Sequence, residues 1–165
     1  MTDAAEPRPM IVTPVRLEYD YSPGEAATRF LRKIEQGSYV GQRCPKCRKV
    51  YVPPRGSCPT CGVPTSEEVP LAQTGTITAF CIVNIPFAGQ AVECPYVSAT
   101  IQLDGADIGF YHLVQEIPYD QIHIGMRVEA VWKDRSEWAP TTESIAYFRP
   151  VQGNENEPSA SGTNS

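Results

Sequence analysis

The segment Cys44-Pro45-Lys46-Cys47-Arg48-Lys49-Val50-Tyr51-Val52-Pro53-Pro54-Arg55-Gly56-Ser57-Cys58-Pro59-Thr60-Cys61-Gly62 sets two C-P-x-C turns with ten residues between them. Each turn can hold two sulfurs on one side of the backbone, so the pair offers four to a single tetrahedral ion. Proline presets φ for each bend, and Gly62 supplies the left-handed residue that often follows a last ligand. The first turn has Arg48 at the corresponding place. A redox dithiol needs only one C-x-x-C, so two pairs at this separation point to a metal. Iron in a rubredoxin-like electron carrier uses the same ligands, and the short spacer favours a structural zinc ribbon. Four thiolates from Cys44, Cys47, Cys58 and Cys61 leave no open coordination position, so the expected role of the ion is structural.

Arg43, Lys46, Arg48, Lys49 and Arg55 put five cations within thirteen residues of a chain whose formal charge is −5. A divalent ion with four thiolates carries about −2, so part of the cluster serves to neutralise the site. The remainder is suited to the phosphates of a coenzyme or to an acidic patch on a partner.

Outward from the ribbon, which the sequence bounds at 41–66, residues 1–20 alternate prolines with isolated apolar residues and predict an extended arm that packs on a neighbour. Within 21–40, the spacing of Ala26, Phe30, Leu31 and Ile34 predicts a helix over Gly24 to Gln36, stopped by Gly37. Beyond the ribbon, 67–150 reads as strands. Ile77, Ala79, Cys81, Val83 and Ile85 alternate as the buried face of one, which places Cys81 in the core; Val97, Ala99, Ile101 and Leu103 form a second. Asp104-Gly105 predicts a tight hairpin turn into a third strand near Ile108 to Val114. Val128, Ala130 and Trp132 mark another, and the last runs from about Thr142 to Arg149. Five short strands suggest a small closed barrel, giving a mainly β chain with one helix. Residues 151–165 contain almost nothing to bury and predict a disordered tail.

Sixteen prolines and twelve glycines among 165 residues argue for short elements and many turns. No run approaches the length of an apolar membrane span and the first residues lack a signal-peptide pattern, so the expected location is cytoplasmic, where thiols stay reduced. An acidic pI near 5.0 argues against nonspecific nucleic-acid binding.

Candidates for catalysis are few. His112 shares a strand face with Ile108, Phe110 and Val114 and reads as a core histidine, while His123 lies in a loop. Cys94 is the better placed thiol for reactivity, and no nucleophile, phosphate-loop or metalloprotease motif is present. The chain reads as a binding subunit.

The order of parts, from the Phe30-Leu31 helix and the run Cys44 to Gly62 with its Pro53-Pro54-Arg55, through Thr74-Gly75-Thr76-Ile77 and Pro95-Tyr96, to Ile124-Gly125-Met126-Arg127-Val128, resembles the thiolase-associated zinc-ribbon/OB-fold family, domain-of-unknown-function family 35. The resemblance covers roughly residues 20 to 150. It implies an N-terminal helix, a rubredoxin-like zinc ribbon and a five-stranded OB-fold barrel. It also implies a noncatalytic companion of a thiolase-like enzyme acting on acyl-CoA, in some members a retro-aldolase of steroid side-chain degradation.

Three functions follow as expectations. The first is an accessory subunit of a thiolase-like lyase or acyltransferase, with Phe30 and Phe87 as partner contacts. The second is direct acyl-CoA binding, with the ribbon cations on the phosphates. The third is nucleic-acid binding, a common use of ribbons and OB barrels, which the charge disfavours.

Overall fold

The computed structural model describes residues 15–86 and 88–151. Val151, the first residue of the expected tail, is half-buried and bonds through its N–H to the Arg127 carbonyl at 3.1 Å; the rest of that tail, the first part of the arm and Phe87 lie outside these residues.

Helix α1 spans Gly24–Ile34 and buries Phe30 and Ile34. It ends where glycine allows it to: Gly37 has φ 76°, its N–H bonds to the Ile34 carbonyl, and the Ser38 N–H reaches back to the Lys33 carbonyl. This is the paired closure of a Schellman motif, which requires a left-handed residue. Arg29 links the helix to Glu25 one turn before and to Glu68 at 3.5 Å.

Three strands, β1 (Tyr39–Arg43), β2 (Val50–Tyr51) and β3 (Glu67–Leu71), form an antiparallel sheet in the order β2-β1-β3. Only Ala72 and Gln73 separate β3 from the next strand, β4 (Thr74–Val83). With β5 (Tyr96–Leu103), β6 (Phe110–Val114), β7 (Arg127–Trp132) and β8 (Ile145–Pro150), it closes a barrel in the order β4-β5-β6-β8-β7. All barrel pairings are antiparallel except β6 with β8, which meet in parallel at Val114 and Phe148. That is the five-stranded topology of an OB-fold.

The alternation expected in β5 is present, with Val97, Ala99, Ile101 and Leu103 all buried. That expected in β4 is not. The register against β5 shifts between Ile77 and Ala79, and a bulge of this kind moves every later side chain to the other face. Ile77 is buried, but beyond it Phe80 and Ile82 pack against the core and Cys81 is exposed, which corrects the expectation of a buried Cys81.

The turn at Asp104-Gly105 also differs from the tight hairpin expected. Gly105 has φ 92° and the Ala106 N–H closes a turn on the Leu103 carbonyl, yet β5 and β6 pair only from Ile101 and Phe110 outward. Gln102 and Leu103 stay paired with β4, and beyond the turn Asp107 bonds to Val50 of β2. Asp104 itself receives both guanidinium nitrogens of Arg127, at 2.7 and 2.5 Å, and this pairing holds its carboxyl below the usual carboxylate range.

One core serves helix, sheet and barrel. Phe30 and Ile34 of α1, Tyr39, Val40, Val50, Val52 and Leu71 of the sheet region, and Ile77, Ile101, Phe110, Val128 and Phe148 of the barrel belong to a single buried cluster. Tyr39 of β1 meets Phe110 and Trp132 edge-on at 5.8 and 5.6 Å.

Candidate metal centre

The two turns that carry the cysteines have the same hydrogen-bond pattern. In the first, Arg48 N–H bonds to the Cys44 carbonyl at 3.0 Å and Cys44 N–H to the Lys49 carbonyl at 2.9 Å. In the second, Gly62 N–H bonds to the Cys58 carbonyl and Cys58 N–H to the Val63 carbonyl, both at 2.8 Å. Arg48 and Gly62 each take φ 65°. The first knuckle therefore adopts the glycine conformation with an arginine in it.

These knuckles bring the sulfurs of Cys44, Cys47, Cys58 and Cys61 within 4.8 Å of one another, with 3.7 Å between Cys47 and Cys58. Sulfurs bound tetrahedrally at the usual zinc distance of about 2.3 Å stand ~3.8 Å apart, so the donor set fits the ion. Cys44 and Cys58 are buried, while Cys47 and Cys61 are half-buried. The Cys44 sulfur accepts the N–H groups of Lys46 and Cys47, each at 3.4 Å. The Cys58 sulfur accepts that of Cys61 at 3.4 Å and lies 3.2 Å from the Tyr51 hydroxyl.

These contacts make the thiols unequal. The Tyr51 hydrogen bond draws Cys58 down to about 6 against the opposing effect of burial, and Tyr51 itself is pushed up to about 12, first by that bond. Burial, with the neighbouring thiols, pushes Cys61 up to about 12. Burial also acts to raise Cys44, but the Cys47 and Lys46 amides outweigh it and leave that thiol below its ordinary value. A sulfur that already receives hydrogen bonds loses its proton to a metal at least cost.

Around the knuckles the sequence cations have different fates. Arg43 and Arg48 both reach Glu67 of β3, at 2.6 and 3.6 Å, so a carboxylate balances part of their charge. Lys46 and Lys49 are exposed. Arg55 lines an open groove of about 620 Å³ together with Tyr21, Ala26, Arg29, Pro54 and Thr65. Phe30, expected at a partner surface, is 2% exposed and packs in the common core. Its helical spacing marked the buried stripe of α1, and that role replaces the expected one.

Residues that sequence reasoning passed over hold the ribbon in place. Gln42 is buried in β1, and its Oε1 accepts from Gly56 N–H at 3.2 Å and the Thr65 hydroxyl at 3.0 Å, pinning the loop between the cysteine pairs. Asp107, from the turn between β5 and β6, accepts the Val50 N–H at 2.8 Å and donates its own N–H to the Val50 carbonyl at 3.0 Å. Ile108 beside it packs against the cluster of Cys44, Tyr51 and Cys58. A glutamine inside a strand and an aspartate in a turn have no distinctive sequence signal. Tyr51 does, because a tyrosine four residues beyond a C-x-x-C is well placed to return to the sulfurs.

Elsewhere, His112 lies on β6 stacked on Phe110 at 5.8 Å, its Nδ1 buried without a hydrogen-bond partner among the described residues. Burial keeps its pKa below the ordinary value. Cys94 is half-buried near Gln90.

A thiolate-lined ribbon whose sheet runs into an OB-type barrel defines the class of protein. Family models described as the ChsH2 rubredoxin-like zinc ribbon domain and the ChsH2 C-terminal OB-fold domain match residues 35–67 and 68–133. A DUF35 domain-containing scaffold protein of Methanocaldococcus jannaschii is 34% identical over 100 residues, covering 60% of this chain and 70% of the relative. The chain belongs to the DUF35 family of zinc-ribbon/OB-fold proteins. A probable enoyl-CoA hydratase alpha subunit of Thermomonospora curvata is 32% identical over 117 residues, 71% of this chain and 35% of that one, so this chain spans about a third of that relative's length. Among solved structures, the Ltp2-ChsH2(DUF35) aldolase matches with a TM-score of 0.61 and 27% identity, covering 79% of this chain and 98% of the other. A DUF35 protein from Sulfolobus solfataricus shares the fold with a TM-score of 0.59, 17% identity, and coverage of 78% and 87%.

Proposed function

We propose that this chain is a noncatalytic zinc-binding accessory subunit that binds and stabilises a thiolase-like acyl-CoA enzyme, a retro-aldolase of steroid side-chain thioesters, and helps position its CoA substrate. The observation that carries the reading is the match to the DUF35 chain of the Ltp2-ChsH2 aldolase, which extends over 98% of that chain. The scaffold role named for the Methanocaldococcus relative supports it. Cys44, Cys47, Cys58 and Cys61 would hold the zinc, and four thiolates complete a tetrahedral shell, so the ion supplies structure and the partner supplies chemistry. A reducing cytoplasm suits four free thiols. Among the described residues no helix is long and apolar enough to cross a membrane.

Surface for a partner is present on the arm. Val15, Leu17, Tyr19 and Tyr21 are 76–78% exposed, and they alternate with Arg16, Glu18, Asp20 and Ser22 in a segment without helix or strand. An apolar row of this kind gains its stability by covering itself on another surface. Co-expression with a thiolase-like aldolase, followed by size-exclusion chromatography with light scattering, tests the proposal. Co-elution as a hetero-oligomer and a higher aldolase rate are expected; a stable monomer that changes neither the enzyme's solubility nor its rate overturns it.

A second reading, direct acyl-CoA binding by the isolated chain, is favoured by the groove that places Arg29 and Arg55 together beside the start of α1. Calorimetric titration with a CoA thioester decides it, and absence of heat at millimolar ligand ends it.

A further inference from the structure

We infer that Tyr51 is a positioning residue for the metal, its hydroxyl donating a hydrogen bond to the Cys58 thiolate and fixing that sulfur in the coordination shell. The inference rests on the proposed four-cysteine zinc site.

Four thiolates around a divalent cation leave negative charge on the sulfurs, and a buried sulfur needs donors to stabilise that charge. Cys58 is 1% exposed, so water scarcely reaches it. Its donors must come from the chain. Backbone amides of the second knuckle supply part of them, that of Cys61 at 3.4 Å and that of Thr60, and the Tyr51 hydroxyl, at 3.2 Å, is the side-chain donor. A metal-bound thiolate has no proton to give, which fixes the direction: the tyrosine donates and the sulfur accepts.

The tyrosine is held for this task from both sides. It ends β2, whose pairing with β1 sets Tyr51 opposite Gln42. Its ring is 2% exposed and packed with Cys44, Cys58, Val63 and Ile108. The neighbouring Val50 is clamped through both backbone groups by Asp107. Strand position, ring packing and clamp leave the hydroxyl little freedom to leave the sulfur. Partners of this outer kind orient metal ligands, and their loss typically costs 10–100-fold in metal affinity.

The test uses the full chain loaded with zinc, and a parallel sample loaded with cobalt. In Tyr51→Phe, zinc transfer to an excess of a chromogenic chelator is expected to accelerate by about ten-fold. The sulfur-to-cobalt charge-transfer band should move to lower energy, because a thiolate without its donor gives up an electron more easily. Val63→Ala, which loosens the same packing without touching a hydrogen bond, should leave the band where it is. Wild-type release kinetics and an unmoved band in Tyr51→Phe overturn the inference, as does an equal band shift in Val63→Ala. If Tyr51→Phe does not fold, NMR of the cadmium-loaded wild-type chain decides: a tyrosine hydroxyl proton correlated with the metal supports the inference, and its absence overturns it. A wild-type chain that takes up no zinc fails earlier, at the proposed metal site itself.

Discussion

Arg48 occupies the left-handed conformation at the end of the first knuckle, where the second knuckle has Gly62. An L-residue there costs about 1–2 kcal/mol, and the side chain recovers little through an exposed ion pair with Glu67 at 3.6 Å. Arg48→Gly is therefore expected to stabilise the metal-loaded protein by about 0.5 kcal/mol, after allowing for the greater freedom of glycine in the unfolded chain; a urea unfolding midpoint reads it. Gly75 shows the opposite case. A Cβ on it would sit 2.6 Å from the Gln102 carbonyl oxygen and 2.9 Å from Ile101 Cγ2, inside a strand paired on both sides. The backbone atom cannot move aside cheaply, so Gly75→Ala should cost about 1–3 kcal/mol by overpacking, visible as a fall in Tm.

Among the elements, what could be read from sequence depended on how local the determinants were. The knuckles were legible because their ligands, prolines and glycine lie within a few residues of one another. Strand β5 was legible because its period of two is unbroken. Strand β4 was misread beyond Ile77 because the bulge is set by its pairing with β5, and from Ala79 to Val83 apolar residues occupy both faces, so the sequence pattern cannot show the change. The clamp of Asp107 on Val50 was invisible for the same reason, since the two meet only where the three-stranded sheet packs against the β5–β6 turn of the barrel. Asp107→Ala removes the acceptor for the N–H of Val50, a residue 4% exposed, and should cost about 1–3 kcal/mol, whereas Asp107→Asn keeps an acceptor and should cost less. Chemical denaturation of both variants, metal-loaded, checks the order.

For the molecule as a whole, the apolar arm and the folded body answer to different pressures. The core cluster would exist without a partner, while Leu17 and Tyr19 contribute nothing to it. Replacing both by Asp is expected to leave Tm within a degree or two of wild type and to weaken association with the thiolase-like subunit at least ten-fold, as read by light scattering of the co-expressed pair. The passage from β3 to β4 through Ala72 and Gln73 has a practical consequence as well. The ribbon's third strand is the barrel's lead-in, and β1 pairs with it from Arg43↔Glu67 to Tyr39↔Leu71. Cutting the gene near codon 67 to express ribbon and barrel separately would strip β1 of its partner and open the shared core in both products. Two insoluble fragments that recover only when refolded together are the expected yield of that experiment.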